Sequence, residues 1–272
     1  MRMVAGKPTL SPTKITTYLA CPVKYRWSYI DSRGKWYLRA KSYYSFGTSL
    51  HRALEKLHSV GDLGVPTTDE IKTAYEENWV DAGFSSAEEM AEAYNEGLDM
   101  LEMHVEQHRK RPIQGKAIFV ERQFDLDMDK FRLIGRIDRV DEHPDGTLEI
   151  IDYKSGHRSI TADEVGSDIA MGIYQLLLKR RFPERRIVAT LYSLRTGEEA
   201  SASMSDQEIS DFERDIEKLG LIMLDEEYFE LAPKWKPTCN GCDFRPLCRK
   251  HPEYGEPGFD VETPAQAEAW TE

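Results

Sequence analysis

The sequence predicts an α/β fold with a central mixed sheet flanked by helices. From residue 117 the apolar residues recur with a period of two, which is typical of strands. The predicted strands cover about 118–120, 131–140, 148–153 and 186–194, with a further strand near 199–204. Asp145-Gly146 predicts a hairpin turn between the second and third of them. Helices predicted at about 161–181 and from Ser205 to about 230 surround the last strands, an order that favours helices on both faces of one sheet.

The N-terminal half is predicted to be helical. Residues 46–59 place Leu50, Leu54 and Leu57 on one helix face. Two more helices, at about 67–82 and 86–110, are polar and acidic, and they favour an insertion that covers one side of the core. We therefore expect one domain over the whole chain. Its predicted parts are a helical insertion at about 60–112, a core at about 113–204, a C-terminal helix with the cysteines at about 205–250 and a tail at 251–272.

Composition favours a folded protein in the cytoplasm. The chain has 272 residues, of which 40% are hydrophobic, but no stretch approaches the roughly 20 apolar residues of a membrane span. Its net charge of −12 argues mildly against nucleic acid as a partner. The charges are segregated, however, with basic clusters at 109–111 and 179–186 that are either solvated faces or binding surfaces.

Basic and aromatic residues alternate in the segment 24–44, which begins with Lys24 and Arg26. This composition suits a path for a single nucleic-acid strand, because bases stack on aromatic rings while phosphates pair with cations. The alternative is that the aromatic side chains pack in the core, and the two roles are compatible.

Four cysteines form the most specific pattern. Cys21 stands alone near the N-terminus, whereas Cys239, Cys242 and Cys248 follow the spacing Cys-x2-Cys-x5-Cys. Four thiolates suit zinc or an iron–sulfur cluster, which would join the two ends of the chain. A Cys3His zinc site that uses His251 in place of Cys21 is the main alternative. Disulfides are disfavoured because the first ten residues lack the apolar run of a secretory signal.

A second pattern lies in the predicted strands. Asp138 and Asp152 fall on neighbouring strands, so their carboxylates can converge on one hard cation. Lys154 shares a strand face with Asp152, because side chains alternate along a strand. A lysine beside a metal site suits hydrolysis of a phosphodiester. The alternative is a simple Asp152–Lys154 ion pair at a strand end, and the joint presence of Asp138 and the cysteines favours the metal site.

Together these motifs resemble the RecB-type branch of the PD-(D/E)xK nuclease superfamily. Within it, the chain is similar to CRISPR-associated RecB-like exonucleases and to the nuclease domain of AddB. The matching segments are Leu10–Tyr25, Gly47–His51, Val120–Glu121, Gly135–Asp141, Ile151–Gly156 and the three C-terminal cysteines. The resemblance implies a restriction-endonuclease-like core closed by a cysteine-clasped tail.

The resemblance also implies residue roles. It assigns Mg2+ or Mn2+ to His51, Asp138, Asp152 and the carbonyl of Tyr153, and it makes Lys154 catalytic. Glu121 would bind a second ion or orient water. Cys21, Cys239, Cys242 and Cys248 would hold one [4Fe–4S] cluster. Tyr174 matches a tyrosine that contacts DNA, but Ala170 stands where relatives carry a glutamine, and the adjacent Gln175 is its candidate substitute.

The expected function is that of a metal-dependent DNA exonuclease acting on single-stranded ends. The 5′ to 3′ polarity and a role in repair, recombination or CRISPR spacer processing come from the resemblance alone. One alternative is a non-catalytic or partner-dependent subunit that binds DNA ends within an adaptation or recombination complex. Another is a structure-specific endonuclease.

Overall fold

The computed structural model describes residues 6–31, 34–59, 65–110, 115–157, 160–225 and 232–258. They form two compact units. The first is drawn from 1–12 and 40–220, and the second from 13–39 and 221–272. That the chain acts as one nuclease domain stays a prediction.

Helices and strands follow one another in blocks along the first unit. Its strands are β1 (Thr9–Leu10), β2 (Lys116–Met128), β3 (Phe131–Glu142), β4 (Leu148–Lys154), β5 (Ile187–Ser193) and β6 (Glu199–Ala202). The longer helices of the chain are α1 (Pro12–Ala20), α4 (Ser42–Ser59), α5 (Thr68–Asn78), α6 (Ala87–Lys110), α7 (Ala162–Ser167), α8 (Ile169–Arg181) and α9 (Asp206–Leu224). Shorter helices are α2 (Pro22–Tyr25), α3 (Gly34–Tyr37) and α10 (Arg245–Cys248).

The strands form one mixed sheet, as the sequence predicts. Its order is β1-β3-β4-β5-β6, and β2 also pairs with β3. β1 with β3 and β4 with β5 are parallel, whereas the other pairs are antiparallel. The predicted hairpin turn between β3 and β4 is confirmed. Gly146 has a φ of +88°, which glycine adopts without strain, and Asp145 Oδ1 accepts from the Thr147 N–H at 2.9 Å.

Helices pack against the sheet on both of its sides. On one side, α4, α5 and α6 join Tyr153, Tyr192 and Leu194 in a single buried cluster. The predicted insertion therefore packs directly against the core. On the other side, α8 is buried from Met171 to Leu178. Gly135 allows its close approach, because a Cβ there would lie 2.7 Å from Leu177 Cδ1 and 3.0 Å from the Tyr174 ring.

The helix predicted at 161–181 is divided in the structure. Asp168 adopts an extended conformation (ψ 117°), which ends α7 and begins α8. Its Oδ1 accepts from the Ala170 and Met171 N–H groups at 2.7 and 3.2 Å. The predicted cap at Ser205 is confirmed, since Ser205 Oγ accepts from the Glu208 N–H. The predicted extension of that helix from 226 to 230 lies outside the described residues.

The second unit is built around the cysteines. Val23, Trp27, Phe244, Cys248 and Tyr254 form its buried cluster, and the other three cysteines pack against it. Two arginines secure the chain beyond the last cysteine, since Arg245 and Arg249 both bond the buried carboxylate of Glu256. In the part of the chain that the structure describes, no helix combines the length and apolarity of a membrane span.

Candidate active site

Two predicted metal ligands, His51 and Asp138, converge in the first unit with Glu121, to which the resemblance gave a second ion or a water. His51, Glu121 and Asp138 each offer one ligand atom, and these atoms all lie within 4.8 Å of one another. His51 Nδ1 is 3.3 Å from Asp138 Oδ2 and 3.7 Å from Glu121 Oε1. Among the described residues this is the one group of three or more histidines, cysteines or acids with such spacing. One imidazole and two carboxylates match the preferences of Mn2+ and Mg2+.

Strand pairing brings the two carboxylates together. Val120 pairs with Arg139 and Arg122 pairs with Ile137, so Glu121 occupies the position across from Asp138. Glu121 has a φ of +46°, a left-handed conformation that costs a non-glycine residue roughly 1–2 kcal/mol. It is the one described non-glycine residue with a positive φ. Such strain is concentrated at functional sites, where surrounding structure holds it in place.

Asp152 and Lys154 lie beside this group. Arg139 pairs with Ile151, so Asp138 and Asp152 occupy the next position along β3 and β4. Lys154 Nζ is 2.7 Å from Asp152 Oδ2, which is the ion pair that the sequence offered as an alternative interpretation. Asp152 is therefore adjacent to the three-residue group but does not belong to it. The Tyr153 N–H donates to Asp138 Oδ2 at 2.9 Å and fixes that carboxylate.

The acids of the site raise the pKa values of His51 and Lys154, so both side chains are positively charged at neutral pH. Burial by itself would lower the pKa of His51, but the neighbouring carboxylates of Asp138 and Glu121 raise it to about 10. Burial likewise opposes the charge on Lys154, yet the charge and hydrogen bond of Asp152 raise its pKa above the ordinary value. Burial and the charge of Asp138 raise the pKa of Asp152 to about 6. The site thus concentrates negative charge, which the protonated side chains of His51 and Lys154 offset.

Tyr174 and Gln175, both predicted DNA contacts, occupy different environments. Tyr174 is 9% exposed, and burial together with the charges of Asp152 and Asp138 raises its pKa. It therefore borders the acidic site. Gln175 is 2% exposed, and its Oε1 accepts from the Met204 N–H at 2.9 Å. Gln175 therefore binds the main chain at Met204, outside the acidic group.

Two residues that sequence reasoning did not assign also shape the site. Arg136 donates from Nε to Glu121 Oε2 at 2.5 Å, so the two oxygens of this carboxylate face different partners, Arg136 and His51. The negative charge of Asp168 contributes to the raised pKa of Lys154 and of Tyr174. The alternation within Gly135–Asp141 could have identified Arg136, whereas nothing in the sequence marks Asp168 beyond its value as a helix cap.

Behind the candidate site, the Tyr153 side chain enters a buried histidine network. Its hydroxyl is 3.1 Å from His58 Nε2, and His58 Nε2 is 3.2 Å from His104 Nε2. Arg139 donates to His58 Nδ1 at 3.0 Å and is itself bound by both oxygens of Asp141 at 2.6 and 2.7 Å. Burial lowers the pKa values of His58 and His104 well below the ordinary value. This network supports the strand that carries Asp152 and Lys154.

The basic residues considered as DNA contacts are mostly engaged with acids. Lys179 pairs with Asp206 at 2.8 Å, and Arg185 pairs with Glu142. Lys24 and Arg26 belong to the second unit. The Lys24 N–H donates to Cys21 Sγ at 3.4 Å, and Arg26 lies 3.5 Å from Asp31. Arg111, in the other basic cluster, lies outside the described residues.

The four cysteines are all free thiols that lie within electrostatic range of one another. Burial and the charges of Cys242, Cys21 and Cys239 raise the pKa of the Cys248 thiol to about 12. Cys21 and the three C-terminal cysteines thus lie in the same unit, around one buried apolar cluster.

Comparison with known proteins agrees with this geometry. The model of the PD-(D/E)XK nuclease superfamily matches residues 9–249, and the chain belongs to that superfamily. With this membership and its mixed sheet, the chain has the restriction-endonuclease-like fold that the sequence predicts.

Individual relatives are more distant. Over 219 residues, the chain is 25% identical to a subunit of the ATP-dependent helicase/deoxyribonuclease of Carboxydothermus hydrogenoformans. That match covers 69% of this chain and 20% of the relative, so the chain spans about a fifth of that relative's length. The crystal structure of a protein called SSO0001 aligns with a TM-score of 0.40 and 13% identity, covering 90% of this chain and 88% of the other.

Proposed function

We propose that this protein is a metal-dependent DNA exonuclease that acts on single-stranded ends. The observation that carries the proposal is the convergence of His51, Glu121 and Asp138 beside the Asp152–Lys154 pair, in a chain of the PD-(D/E)XK nuclease superfamily. The preference for single strands, and a 5′ to 3′ polarity, rest on the resemblance to RecB-like exonucleases. Repair, recombination and CRISPR spacer processing are the processes that this activity would serve.

The chemistry follows from the residues. His51, Glu121 and Asp138 would hold Mg2+ or Mn2+, with Asp152 and the Tyr153 carbonyl as the further ligands. A divalent ion at this position supplies Lewis acidity, which acidifies water and offsets charge that develops on a phosphate. Lys154, with its raised pKa, remains an ammonium at neutral pH. It therefore donates hydrogen bonds to a water or to a phosphate oxygen and stabilises negative charge rather than accepting a proton.

We also propose that Cys21, Cys239, Cys242 and Cys248 hold one [4Fe–4S] cluster. All-thiolate ligation suits iron–sulfur clusters, and the four thiols pack around one buried cluster of the second unit. The cluster's role would be structural, because it connects residue 21 to the proline-rich segment that follows residue 231. No described feature of the second unit requires electron transfer for this role.

The proposal is tested with oligonucleotides labelled at either end. Anaerobically purified protein is incubated with single- and double-stranded DNA in Mg2+ or Mn2+, and with the same metals plus EDTA. We expect faster cleavage of the single strand, with short products released first from the 5′ end. Digestion of closed circular single-stranded DNA would show that the protein is an endonuclease and not an exonuclease. Short products released first from the 3′ end would show the opposite polarity.

A partner-dependent activity is the second candidate, and one observation favours it. The relative that matches over 219 residues is named as a subunit, and the chain spans about a fifth of its length. A folded, iron-loaded protein that binds DNA ends without cutting them would support this candidate. Recovery of cleavage on addition of a partner isolated with the native protein would then establish it.

A further inference from the structure

The solvent-facing side of α4 leads directly to the candidate metal site. Tyr44, Gly47 and His51 are spaced by three and four residues, so they lie along one helix face. The opposite face is buried and consists of Ser45, Phe46, Ser49, Leu50, Ala53 and Leu54. At a rise of about 1.5 Å per residue, Tyr44 lies about 10 Å from His51 along the helix axis. Whatever approaches His51 along this helix passes Gly47 and Tyr44.

Two tyrosines at the start of this helix are exposed to an unusual degree. Tyr43 is 61% exposed and Tyr44 is 65% exposed, and their ring centroids are 4.4 Å apart. Tyrosine is more often partly buried, since its ring offers a large apolar surface. The Tyr44 ring contacts that of Tyr43, yet most of its surface faces solvent. An exposed aromatic surface beside a candidate active site is typical of a ligand contact.

Gly47 supplies a second, independent observation. Glycine inside a helix is about 1 kcal/mol less favourable than alanine. A Cβ at this position would meet one described atom outside its own helix, Ser155 Oγ, at an ordinary contact distance of 3.8 Å. Close packing thus does not require glycine. A bare stretch of helix is instead expected where a ligand backbone passes close to the protein.

We propose that this face of α4 guides a single nucleic-acid strand to the metal site, with a base stacked on Tyr44. The sugar-phosphate backbone would cross the helix at Gly47, and the scissile phosphate would reach His51. Tyr44 would thus position a base adjacent to the cleaved bond. This inference rests on the proposed nuclease function and identifies a substrate-positioning residue for it. Stacking tolerates any base, so the contact would favour unpaired strands without a sequence preference.

The test measures binding rather than cleavage, by fluorescence anisotropy of a labelled single strand in EDTA. A series of oligonucleotides carries one abasic site, moved along the strand from its end. For the wild type, we expect one position at which loss of the base weakens binding by about tenfold or more. In Tyr44→Ala, binding to the intact strand weakens to a similar extent, and the abasic site at that position has no further effect.

Two variants separate stacking from folding. Tyr44→Phe keeps the ring and should bind like the wild type. Gly47→Gln adds a better helix former, so its resistance to urea should not fall, yet its side chain occupies the strand path and should weaken binding. Equal binding by Tyr44→Ala and the wild type at every position would overturn the inference, as would absence of single-strand binding by the wild type. Either result leaves cleavage, and so the proposed function, to be judged separately.

Discussion

At the residue scale, the candidate site combines electrostatic and conformational strain. Three acids lie around His51, and the pKa of one of them, Asp152, is raised to about 6 by burial and by Asp138. Glu121 adds a left-handed backbone in the middle of a long strand. Such a concentration of like charge destabilises the fold unless cations offset it. The arrangement is therefore easier to explain by metal binding than by stability.

The backbone strain at Glu121 gives a prediction with a matched control. Glu121→Gly and Glu121→Ala both remove the carboxylate, but only glycine relieves the positive φ. We expect the glycine variant to be more stable than the alanine variant by about 0.5–1 kcal/mol in urea unfolding, after the greater chain entropy of glycine is subtracted. Both should bind Mn2+ more weakly than the wild type in calorimetry. An alanine variant as stable as the glycine variant would remove the argument for strain.

The acidic and cationic residues of the site were predictable individually, but their partners were not. The motifs of β3 and β4 identify Asp138, Asp152 and Lys154, because strand pairing is local and a tight turn fixes the register. His51 and Glu121 required the family resemblance, since a lone histidine on a helix has many roles. The bond from Arg136 to Glu121 depends on side-chain geometry that no spacing in the sequence encodes.

At the scale of elements, α6 shows most clearly what sequence patterns leave out. Its apolar stripe predicts a surface helix, and the stripe indeed packs on the core. The same face also carries His104 and His108, whose ring centroids are 4.0 Å apart and which share a network with Arg139 on β3. Residues 104 and 139 meet only because the tertiary fold brings α6 over the sheet. Likewise, periodicity over 161–181 did not reveal that Asp168 ends one helix and caps the next.

The histidines of this layer predict a pH dependence of stability. Burial and the charge of Arg139 lower the pKa of His108 to about 4, against about 6.5 in the unfolded chain. Between these values the unfolded state binds a proton that the folded state does not, so stability falls as the pH falls from about 6.5 toward 4. The slope from this residue is at most about 1.4 kcal/mol per pH unit.

Urea unfolding at pH 7, 6 and 5 checks this prediction. We expect His108→Gln to lose part of the decrease in stability that the wild type shows over this range. His157→Gln is the matched control, because His157 is exposed and outside the network. Parallel stability curves for the wild type and His108→Gln would show that the buried histidine does not couple protonation to folding.

At the scale of the whole molecule, the second unit joins distant segments of the chain around the cysteines. Residues 13–39 and 221–272 are remote in sequence, yet they form one compact unit around Cys21 and the C-terminal cysteines. A local zinc site would leave Cys21 as an ordinary half-buried residue. A cluster ligated by Cys21 would make the metal a cross-link between these segments, and its binding free energy would contribute to folding.

Two substitutions distinguish these sites. With a cluster on four cysteines, Cys21→Ala should lose iron, visible absorbance and thermal stability, whereas His251→Ala should keep all three. A Cys3His zinc site predicts the reverse, with zinc lost from His251→Ala and retained by Cys21→Ala. Elemental analysis of the anaerobically purified proteins provides the readout. Circular dichroism would verify that each variant retains its helices and strands.

The central claim is that Lys154 and the neighbouring acids form the nuclease site. The most direct measurement compares the wild type with Lys154→Ala in cleavage of an end-labelled single strand with Mg2+ or Mn2+, at matched iron content and fold. We expect cleavage by the wild type to depend on the metal, and the variant to lose it by at least a hundredfold, as is typical when a donor to a developing charge is removed. Undiminished cleavage by a pure, folded Lys154→Ala preparation would contradict the assigned mechanism.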